Sequence, residues 1–203
     1  MAYRGTYDRT AITDVLDAGM IAHVGVVTDE GPVVMPMAYG RSDDDLYLHG
    51  SVANAALRAA IGRDVCVTVT IVDALVVGRT PFHNSMNYRS VVVRGTARLI
   101  EEPGELMAAL QAVSDHVVPT WETGRPPNPT ELRQTLVVAV PLIEVSAKVR
   151  SGGPIDDPAD LDGPYWAGHV PIRRAWEHPL PSDDLPDGVT VPTGIAALAG
   201  RPL

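Results

Sequence analysis

The sequence lacks the features by which several large classes of protein are recognised. Its 203 residues include one cysteine, Cys66, which excludes an internal disulfide and a cysteine-based metal cluster. The apolar strand pattern around Cys66 predicts a buried, inert thiol. Acidic residues outnumber basic ones, 25 to 16, and no basic run occurs. The resulting net charge of −9 argues against a nucleic-acid-binding surface.

Long apolar runs and the common catalytic motifs are missing as well. No run approaches the roughly 20 apolar residues of a membrane-spanning helix, and the first ten residues hold no apolar signal-peptide core. We therefore expect a cytoplasmic protein without membrane association. Phosphate-binding glycine loops, the H-E-x-x-H zinc motif and the G-x-S-x-G serine elbow do not occur. The six histidines show no ligand-like spacing, so no metal site is predicted.

Apolar segments with the spacing of strands fill most of the first 150 residues. Aromatic residues make up only 5% of the chain, so the core is built mainly from Val, Ala, Leu and Ile. The pattern predicts strands at residues 21–28, 33–39, 46–49, 65–78, 85–100 and 136–150, and helices at 10–19, about 52–61 and 102–117. We expect a mainly β protein, an antiparallel β-barrel with flanking helices.

The composition changes after residue 150. We predict a barrel domain over residues 1–150 and a Pro/Gly-rich C-terminal extension over residues 151–203. The extension is poor in regular structure but contains Tyr165, Trp166 and His169. Such a segment must pack on something, and we expect it to cover the barrel or a partner subunit.

The segment Val34–Ser51 combines two predicted strands, a polar turn and the start of a helix. Pro36 interrupts the first strand, which indicates an edge strand, a bulge or a ligand at that point. Gly50 and Ser51 precede a helix that has Asn54 in its first turn, where unpaired N–H groups can bind an anion such as a phosphate. The alternative is that Ser51 is only the N-cap of this helix.

A second polar cluster lies on the strand that begins at Ser85. Asn87 and Arg89 alternate with Met86 and Tyr88, so they share one face of the strand. An amide and a guanidinium on one face suit an aromatic ring that carries carbonyl and ring-nitrogen acceptors. A solvated strand face is the alternative.

The order and spacing of these segments resemble the pyridoxamine 5′-phosphate oxidase-like flavoproteins, in particular the branch with the nitroimidazole-resistance reductases. The resemblance covers about residues 8–175. It rests on P-M-A-Y at 36–39, L-Y-L-H-G-S at 46–51 before a helix with Asn54, and S-M-N-Y-R-S-V-V-V-R-G-T-A at 85–97. The sequence differs from the vitamin-making oxidases in lacking their Arg/Lys-rich phosphate grip, and Arg58 is the first cation after Ser51.

The resemblance implies a split β-barrel homodimer with two FMN molecules at the dimer interface. Deazaflavin, FAD and haem are the alternative cofactors. By position in the family pattern, the backbone edge of Pro36, Met37, Ala38 and Tyr39 faces the flavin ring. The same carry-over implies that the remaining cofactor-binding residues are His49, Gly50, Ser51, Asn54, Arg58, Asn87, Arg89 and Trp166.

The implied activity is an FMN-dependent oxidoreductase, similar to a flavin reductase or nitroreductase, that transfers two electrons to a small organic acceptor. Arg89 is the candidate that stabilises charge on the reduced flavin, and His49 is the candidate proton donor. The alternatives are a non-catalytic flavin- or haem-binding protein, a deazaflavin-dependent reductase, and a hydrolase at the same barrel mouth.

Overall fold

The computed structural model describes residues 5–201, which form two compact units. The first unit comprises residues 5–19, 69–92 and 145–173, and the second comprises residues 20–68, 93–144 and 174–201. The predicted boundary at residue 150 stays a prediction. The predicted domain 1–150 begins before the described residues, and the predicted extension 151–203 ends after them.

Among the described residues, the regular structure consists mainly of strands, with a few helices. The strands are β1 (Gly5–Thr6), β2 (Ala22–Thr28), β3 (Gly31–Met37), β4 (Tyr39–Arg41), β5 (Asp45–Ser51), β6 (Asp64–Val77), β7 (Ser85–Thr96), β8 (Arg98–Leu99), β9 (Thr135–Pro141), β10 (Glu144–Arg150) and β11 (Gly168–Pro171). The helices are α1 (Arg9–Ala18), α2 (Ala55–Ala60), α3 (Pro103–Val117), α4 (Pro129–Gln134) and α5 (Thr193–Ala196).

The first unit contains a sheet in the order β1-β10-β7-β6, with β11 added to β6. The register of β11 on β6 is antiparallel and runs from Gly168 opposite Val77 to Pro171 opposite Ala74. The tail residues 168–171 therefore pack on the sheet by strand addition. Helix α1 buries Ile12, Val15 and Leu16, as its apolar periodicity predicts.

The second unit contains the strands β6-β2-β3 and a separate sheet in the order β4-β5-β9-β8. The pairs β2·β3, β4·β5, β5·β9 and β8·β9 are all antiparallel. Helix α3 packs on the β4-β5-β9 side, and the core between them includes Tyr47, Ile100, Ala109, Val113, Val137 and Ala139. The prediction of a mainly antiparallel β protein with flanking helices is confirmed.

Several local predictions were wrong. The predicted strand 33–39 is divided between β3 and β4, which belong to different sheets. The hairpin across the polar turn is therefore formed by β4 and β5. The predicted strand 136–150 turns back at Leu142 and Ile143. Helix α1 begins at Arg9, one residue before the predicted start, and is capped by Asp8, whose side chain accepts from the N–H of Ala11.

The prediction of a buried Cys66 was also wrong, because its side chain is exposed. Successive side chains of a strand point to opposite faces. Val65, Val67 and Val69 take the buried face of β6, with at most 4% of their surface exposed, and Cys66 takes the other.

Candidate functional site

Strand β5 places His49 beside helix α3. Strand β5 lies between β4 and β9, with Leu48 opposite Tyr39 and His49 opposite Val137. Because side chains alternate along a strand, His49 shares the face of Tyr47, which packs in the α3 core. The end of β5 that carries His49 is thus held by one neighbouring strand on each side, β4 and β9.

A cavity of about 510 Å³ lies at this end of β5. His49 and Ala38 line one side. One face of α3 lines the other through Leu110, Val113, Ser114 and Val117, which follow the three- and four-residue spacing of a helix face. The remaining walls come from the loop after α3, from α4 and from β9: Val118, Thr120, Trp121, Pro127, Glu131, Leu132 and Thr135.

His49 is half-buried, and its Nδ1 is a buried atom without a hydrogen-bond partner in the part of the chain that the structure describes. Burial lowers the pKa of His49 below its ordinary value of 6.5, because a charged imidazole loses hydration there. The side chain is therefore a neutral imidazole near pH 7. A neutral imidazole can accept a hydrogen bond or ligate a metal.

The residues of the segment 36–39, which was predicted to face the flavin ring, lie in different surroundings. Ala38 lines the cavity, whereas Tyr39 is fully buried with its ring centroid 4.5 Å from that of His116. Pro36 is exposed on β3, which is the last strand in its sheet order among the described residues. Of the three alternatives that this proline indicated, the structure agrees with an edge strand. A side chain at Gly50 would lie 3.9 Å from Met37 Cε, so these two positions are neighbours.

The loop after β5 is organised by its own hydrogen bonds. Ser51 Oγ accepts from the N–H of Ala53 at 3.1 Å, and Asn54 Oδ1 accepts from the N–H of Leu57 at 3.0 Å. Asn54, and not Ser51, is the N-cap of α2, which is three residues shorter at its start than predicted. With only six residues, α2 offers a weak positive end for a phosphate.

Arg58 is the cation that this loop presents to solvent. Its side chain is exposed, and among residues 5–201 it has no hydrogen-bond or ion-pair partner. Arg63, by comparison, donates to the carbonyl of Val27 and pairs with Asp29. Arg58 is thus an available guanidinium on the α2 side of the loop.

Asn87 and Arg89 belong to the first unit and are engaged there. Arg150 Nη1 donates to Asn87 Oδ1 at 2.5 Å, and Asn87 Nδ2 donates to the carbonyl of Gly152 at 3.0 Å. Arg89 forms a bidentate pair with Asp73 through Nε and Nη2 at 3.0 and 2.8 Å. Asn87 and Arg89 therefore both have protein partners. The strand face that they share is not simply solvated, and neither side chain is an unpaired donor.

Trp166 also belongs to the first unit. Its side chain is 65% exposed, and its ring covers Gly168, where an added Cβ would lie 3.0 Å from ring atoms. The described structure thus divides the predicted site residues: those at 36–58 lie in the second unit, and Asn87, Arg89 and Trp166 lie in the first.

Two groups of side chains were not predicted from the sequence. One is the side of the cavity that α3 and the following loop form, with Ser114, Val117 and Trp121. The sequence feature that could have indicated this side is a proline-rich loop after an amphipathic helix. The other is Asp156, whose carboxylate is 1% exposed and accepts from the backbone N–H of Arg79 at 2.9 Å and from its Nη1 at 2.8 Å. His83 Nδ1 lies 3.3 Å from the same carboxylate.

The second unit holds another cavity, of about 630 Å³, beside the exposed Cys66. Apolar side chains that are strongly exposed line it, including Val27 (62%), Val34 (67%) and Ile143 (84%). Arg94 and Glu144, which pair at 2.8 Å, stand among them. No chemistry-bearing cluster accompanies this cavity among the described residues.

Residues 5–201 contain neither a cluster of metal-ligating side chains nor a helix that could cross a membrane. No group of three or more His, Cys, Asp or Glu side chains is placed to hold a metal ion within that range. Within the same range, no helix has the length and hydropathy to span a membrane.

Comparison with known proteins identifies similar sequences and structures. The model of a family described as pyridoxamine 5′-phosphate oxidase matches residues 8–149. The flavocytochrome Anf3 from Azotobacter vinelandii is 34% identical over 98% of this chain and 94% of its own, with a TM-score of 0.92. The FAD and heme binding protein from Mycobacterium smegmatis is 32% identical over 97% of this chain and 98% of its own, with a TM-score of 0.91.

A more distant likeness covers less of the chain. A candidate 5-nitroimidazole antibiotic resistance protein from Bacteroides thetaiotaomicron is 25% identical over 71% of this chain and 86% of its own, with a TM-score of 0.61. Comparison with curated proteins gives no match.

Proposed function

This chain belongs to the pyridoxamine 5′-phosphate oxidase family, and we propose that it is a flavin-dependent redox protein. The observation that carries the proposal is its likeness, over nearly the whole of both chains, to two proteins whose names include a flavin: a flavocytochrome and an FAD and heme binding protein. The match to the family alone would cover only residues 8–149.

The name of the Mycobacterium smegmatis protein favours FAD over the FMN that the sequence resemblance implies. We therefore propose FAD as the flavin. FMN and a deazaflavin are the alternatives, and extraction of the bound cofactor would distinguish the three. The flavin supplies two-electron transfer to a small organic acceptor when it is bound.

The chain's own residues hold and orient the cofactor in this proposal. The edge of Pro36–Ala38 and the loop Gly50–Asn54 form the wall, as the family pattern implies, and Arg58 supplies the positive charge for a phosphate. Its exposed guanidinium, without a protein partner among the described residues, supports that role. Tyr39 acts from behind the wall, because its buried ring packs on His116.

The proposed roles of the first-unit residues start from their protein contacts. Arg89 keeps Asp73 as its partner through Nε and Nη2, which leaves Nη1 as the donor for a flavin carbonyl. Asn87 is held by Arg150 and Gly152, and Trp166 offers an exposed aromatic surface. These three residues remain proposed contacts, with Arg89 as the donor that stabilises charge on the reduced flavin.

We also propose a cytoplasmic homodimer. The exposed apolar side chains of Val27, Val34 and Ile143 around one cavity support an interface, because soluble monomers seldom expose a cluster of large apolar groups. Sedimentation equilibrium tests this; a monomer at micromolar concentration would contradict it.

The test of the redox function is a single-turnover experiment. The protein loaded with flavin is reduced with dithionite under nitrogen, and flavin absorbance is followed after addition of a nitroaromatic acceptor. Reoxidation faster than that of free reduced flavin supports a reductase. A bound flavin that no organic acceptor reoxidises would instead favour a non-catalytic carrier.

A second candidate function is a flavohaem protein in which the chain binds haem beside the flavin. Both near-full-length relatives are named for a cytochrome or for heme. The residues fit such a group, because a half-buried, neutral imidazole lies at a largely apolar cavity. Uptake of hemin by the purified protein, followed in the Soret region, tests this candidate.

A further inference from the structure

The cavity between β5 and α3 adjoins a second cavity, of about 370 Å³, beside α4. The residues that line both are Ser114, Thr120, Trp121, Pro127 and Glu131. The larger cavity is also lined by Ala38, from the segment that we propose faces the flavin ring. The two cavities together form a cleft, called here the α3–α4 cleft, that leads from the proposed flavin wall to the loop between α3 and α4.

The charge in the α3–α4 cleft comes from one ion pair. Among the described residues that line the cleft, the charged groups are the carboxylate of Glu131 and the guanidinium of Arg125. Arg125 donates from Nη1 to Oε2 at 2.9 Å and from Nη2 to Oε1. These bonds are the main reason that the pKa of Glu131 falls to about 2, so the carboxylate stays ionised. Since burial keeps His49 neutral near pH 7, the cleft has no net charge.

The start of α4 holds the ion pair in place. Glu131 Oε2 also accepts from the N–H of Asn128 at 2.8 Å, and the side chain of Asn128 accepts in return from the N–H of Glu131 at 3.0 Å, which completes a capping box. Arg125 Nη1 donates in addition to the carbonyl of Pro126. Both carboxylate oxygens and both terminal guanidinium nitrogens are therefore engaged within the loop and the first turn of α4.

The rest of the cleft suits an uncharged aromatic molecule. Its apolar side chains are Leu110, Val113, Val117, Val118 and Leu132. Trp121, whose backbone N–H donates to Asp115 at 3.0 Å, offers a ring on which another ring can stack. The hydroxyl of Ser114 has no hydrogen-bond partner among the described residues, so it can donate to an oxygen of a bound molecule. Apolar walls with few polar groups are typical of small-molecule sites.

We propose that the α3–α4 cleft binds the electron acceptor, that this acceptor is an uncharged aromatic molecule, and that the Arg125–Glu131 pair sets this specificity by leaving the cleft without net charge. The inference rests on the proposed function, that the chain transfers electrons from a flavin. It adds the place and the chemical class of the acceptor. With a nitroaromatic acceptor, the nitro group gains two electrons and two protons from the reduced flavin, becomes a nitroso group and releases one water molecule.

The experiment compares two probes of nearly equal shape: 4-nitrobenzamide, which is uncharged, and 4-nitrobenzoate, which is an anion near pH 7. Equilibrium dialysis against the oxidised, flavin-loaded protein gives a Kd for each probe, and the ratio of the two values measures the preference for the uncharged one. We expect wild type to prefer 4-nitrobenzamide by at least about tenfold, because an anion loses hydration in a largely apolar cleft without gaining a partner.

Two glutamate variants test the role of the ion pair. Glu131→Gln leaves Arg125 as a net positive charge, while glutamine at this position can keep the capping box. We expect the preference for 4-nitrobenzamide to fall by about fivefold, the upper end for a solvent-exposed ion pair. Glu122→Gln removes the same charge from an exposed residue of the same loop that lines neither cavity, and it should keep the wild-type ratio.

A kinetic measurement connects the cleft with electron transfer. Val117→Trp fills the larger cavity from a position that is 41% exposed. We expect this variant to keep its flavin but, after reduction with dithionite, to be reoxidised by 4-nitrobenzamide at least about tenfold more slowly than wild type, because the acceptor is no longer held beside the flavin. Val189→Trp adds the same bulk at an exposed position that lines neither cavity and should react as wild type does.

The contrary results separate this inference from the proposed function. Equal ratios in Glu131→Gln and Glu122→Gln would overturn the ion pair as the specificity determinant. Reoxidation of Val117→Trp at the wild-type rate would overturn the cleft as the acceptor site while the redox function stands. Loss of flavin from Val117→Trp with an unchanged circular dichroism spectrum would assign the cleft to the flavin instead. A wild type that binds no flavin would overturn the proposed function, and this inference with it.

Discussion

The backbones of Gly40 and Ala112 meet with no room for a side chain between them. A Cβ on Gly40 would lie 2.4 Å from the carbonyl carbon of Ala112 and 2.4 Å from the amide nitrogen of Val113. Strand β4 and helix α3 are therefore in contact through their main chains. This contact fixes α3 at the distance from β4 and β5 that gives the cavity its shape.

We expect Gly40→Ala to destabilise the protein by about 3 kcal/mol, the upper end of the range for overpacking, because neither backbone can move aside cheaply. Denaturant unfolding followed by circular dichroism measures the change. Gly124→Ala is the matched control, because the nearest atom to its Cβ would be 3.4 Å away, an ordinary contact. Equal stability of the two variants would show that α3 and β4 are not in this contact.

The buried amide of Asn87 is expected to stabilise the first unit through Arg150. Both side chains are at least 93% buried, and they share a 2.5 Å hydrogen bond. Asn87→Ala should cost about 1.5–3 kcal/mol in unfolding free energy, the range for a hydrogen bond to a charged group. Asn87→Asp keeps an acceptor for Arg150 but loses the donor to the carbonyl of Gly152, so it should lose less than Asn87→Ala without reaching wild-type stability. The reverse order of the two variants would contradict the pairing with Arg150.

The imidazole of His49 gives the stability of the cofactor-free protein a pH dependence of definite sign. Its pKa in the folded state is below 6.5, so the unfolded chain binds this proton first as the pH falls. The contribution of His49 should therefore make the protein less stable as the pH falls below about 6.5, with no penalty at neutral and higher pH. His49→Gln should reduce the slope of unfolding free energy against pH between 5 and 7. A slope as steep as that of wild type would contradict the burial of this imidazole.

Arg58 is expected to strengthen flavin binding through the phosphate. Arg58→Ala should weaken flavin affinity by about tenfold, as expected for one charge-assisted hydrogen bond, and should reduce its dependence on salt. Fluorescence quenching of added FAD and FMN at two salt concentrations measures both. Arg133→Ala removes another exposed arginine of the same unit and should have no effect; an equal loss in both variants would show that only overall charge matters.

Local periodicity was enough to predict most of the elements. The apolar faces of α1 and α3 and the alternation in β2 and β6 are properties of single segments, and they appear where expected. The break after Met37 was missed because Tyr39 continues the apolar pattern while joining a different sheet. The turn at Leu142 and Ile143 was missed because both residues are apolar and contain no turn signal such as Gly or Asn.

The candidate site depends more on tertiary structure. His49 could be selected from its place after a strand, but its unpartnered nitrogen follows from the burial that α3, α4 and β9 create together. The partners of Arg89 and Asn87, at residues 73, 150 and 152, also come from distant parts of the chain. No spacing rule links those positions, so the sequence alone left a solvated face as an open alternative.

The proposed function depends on the binding of a flavin by this chain. Its most direct test is to purify the protein, record its absorbance between 300 and 700 nm, and identify the molecule released on denaturation by mass spectrometry, after incubation with FAD and FMN if none copurifies. We expect flavin bands and a released mass of FAD or FMN at about one per chain. A protein that remains colourless and binds neither flavin would contradict it.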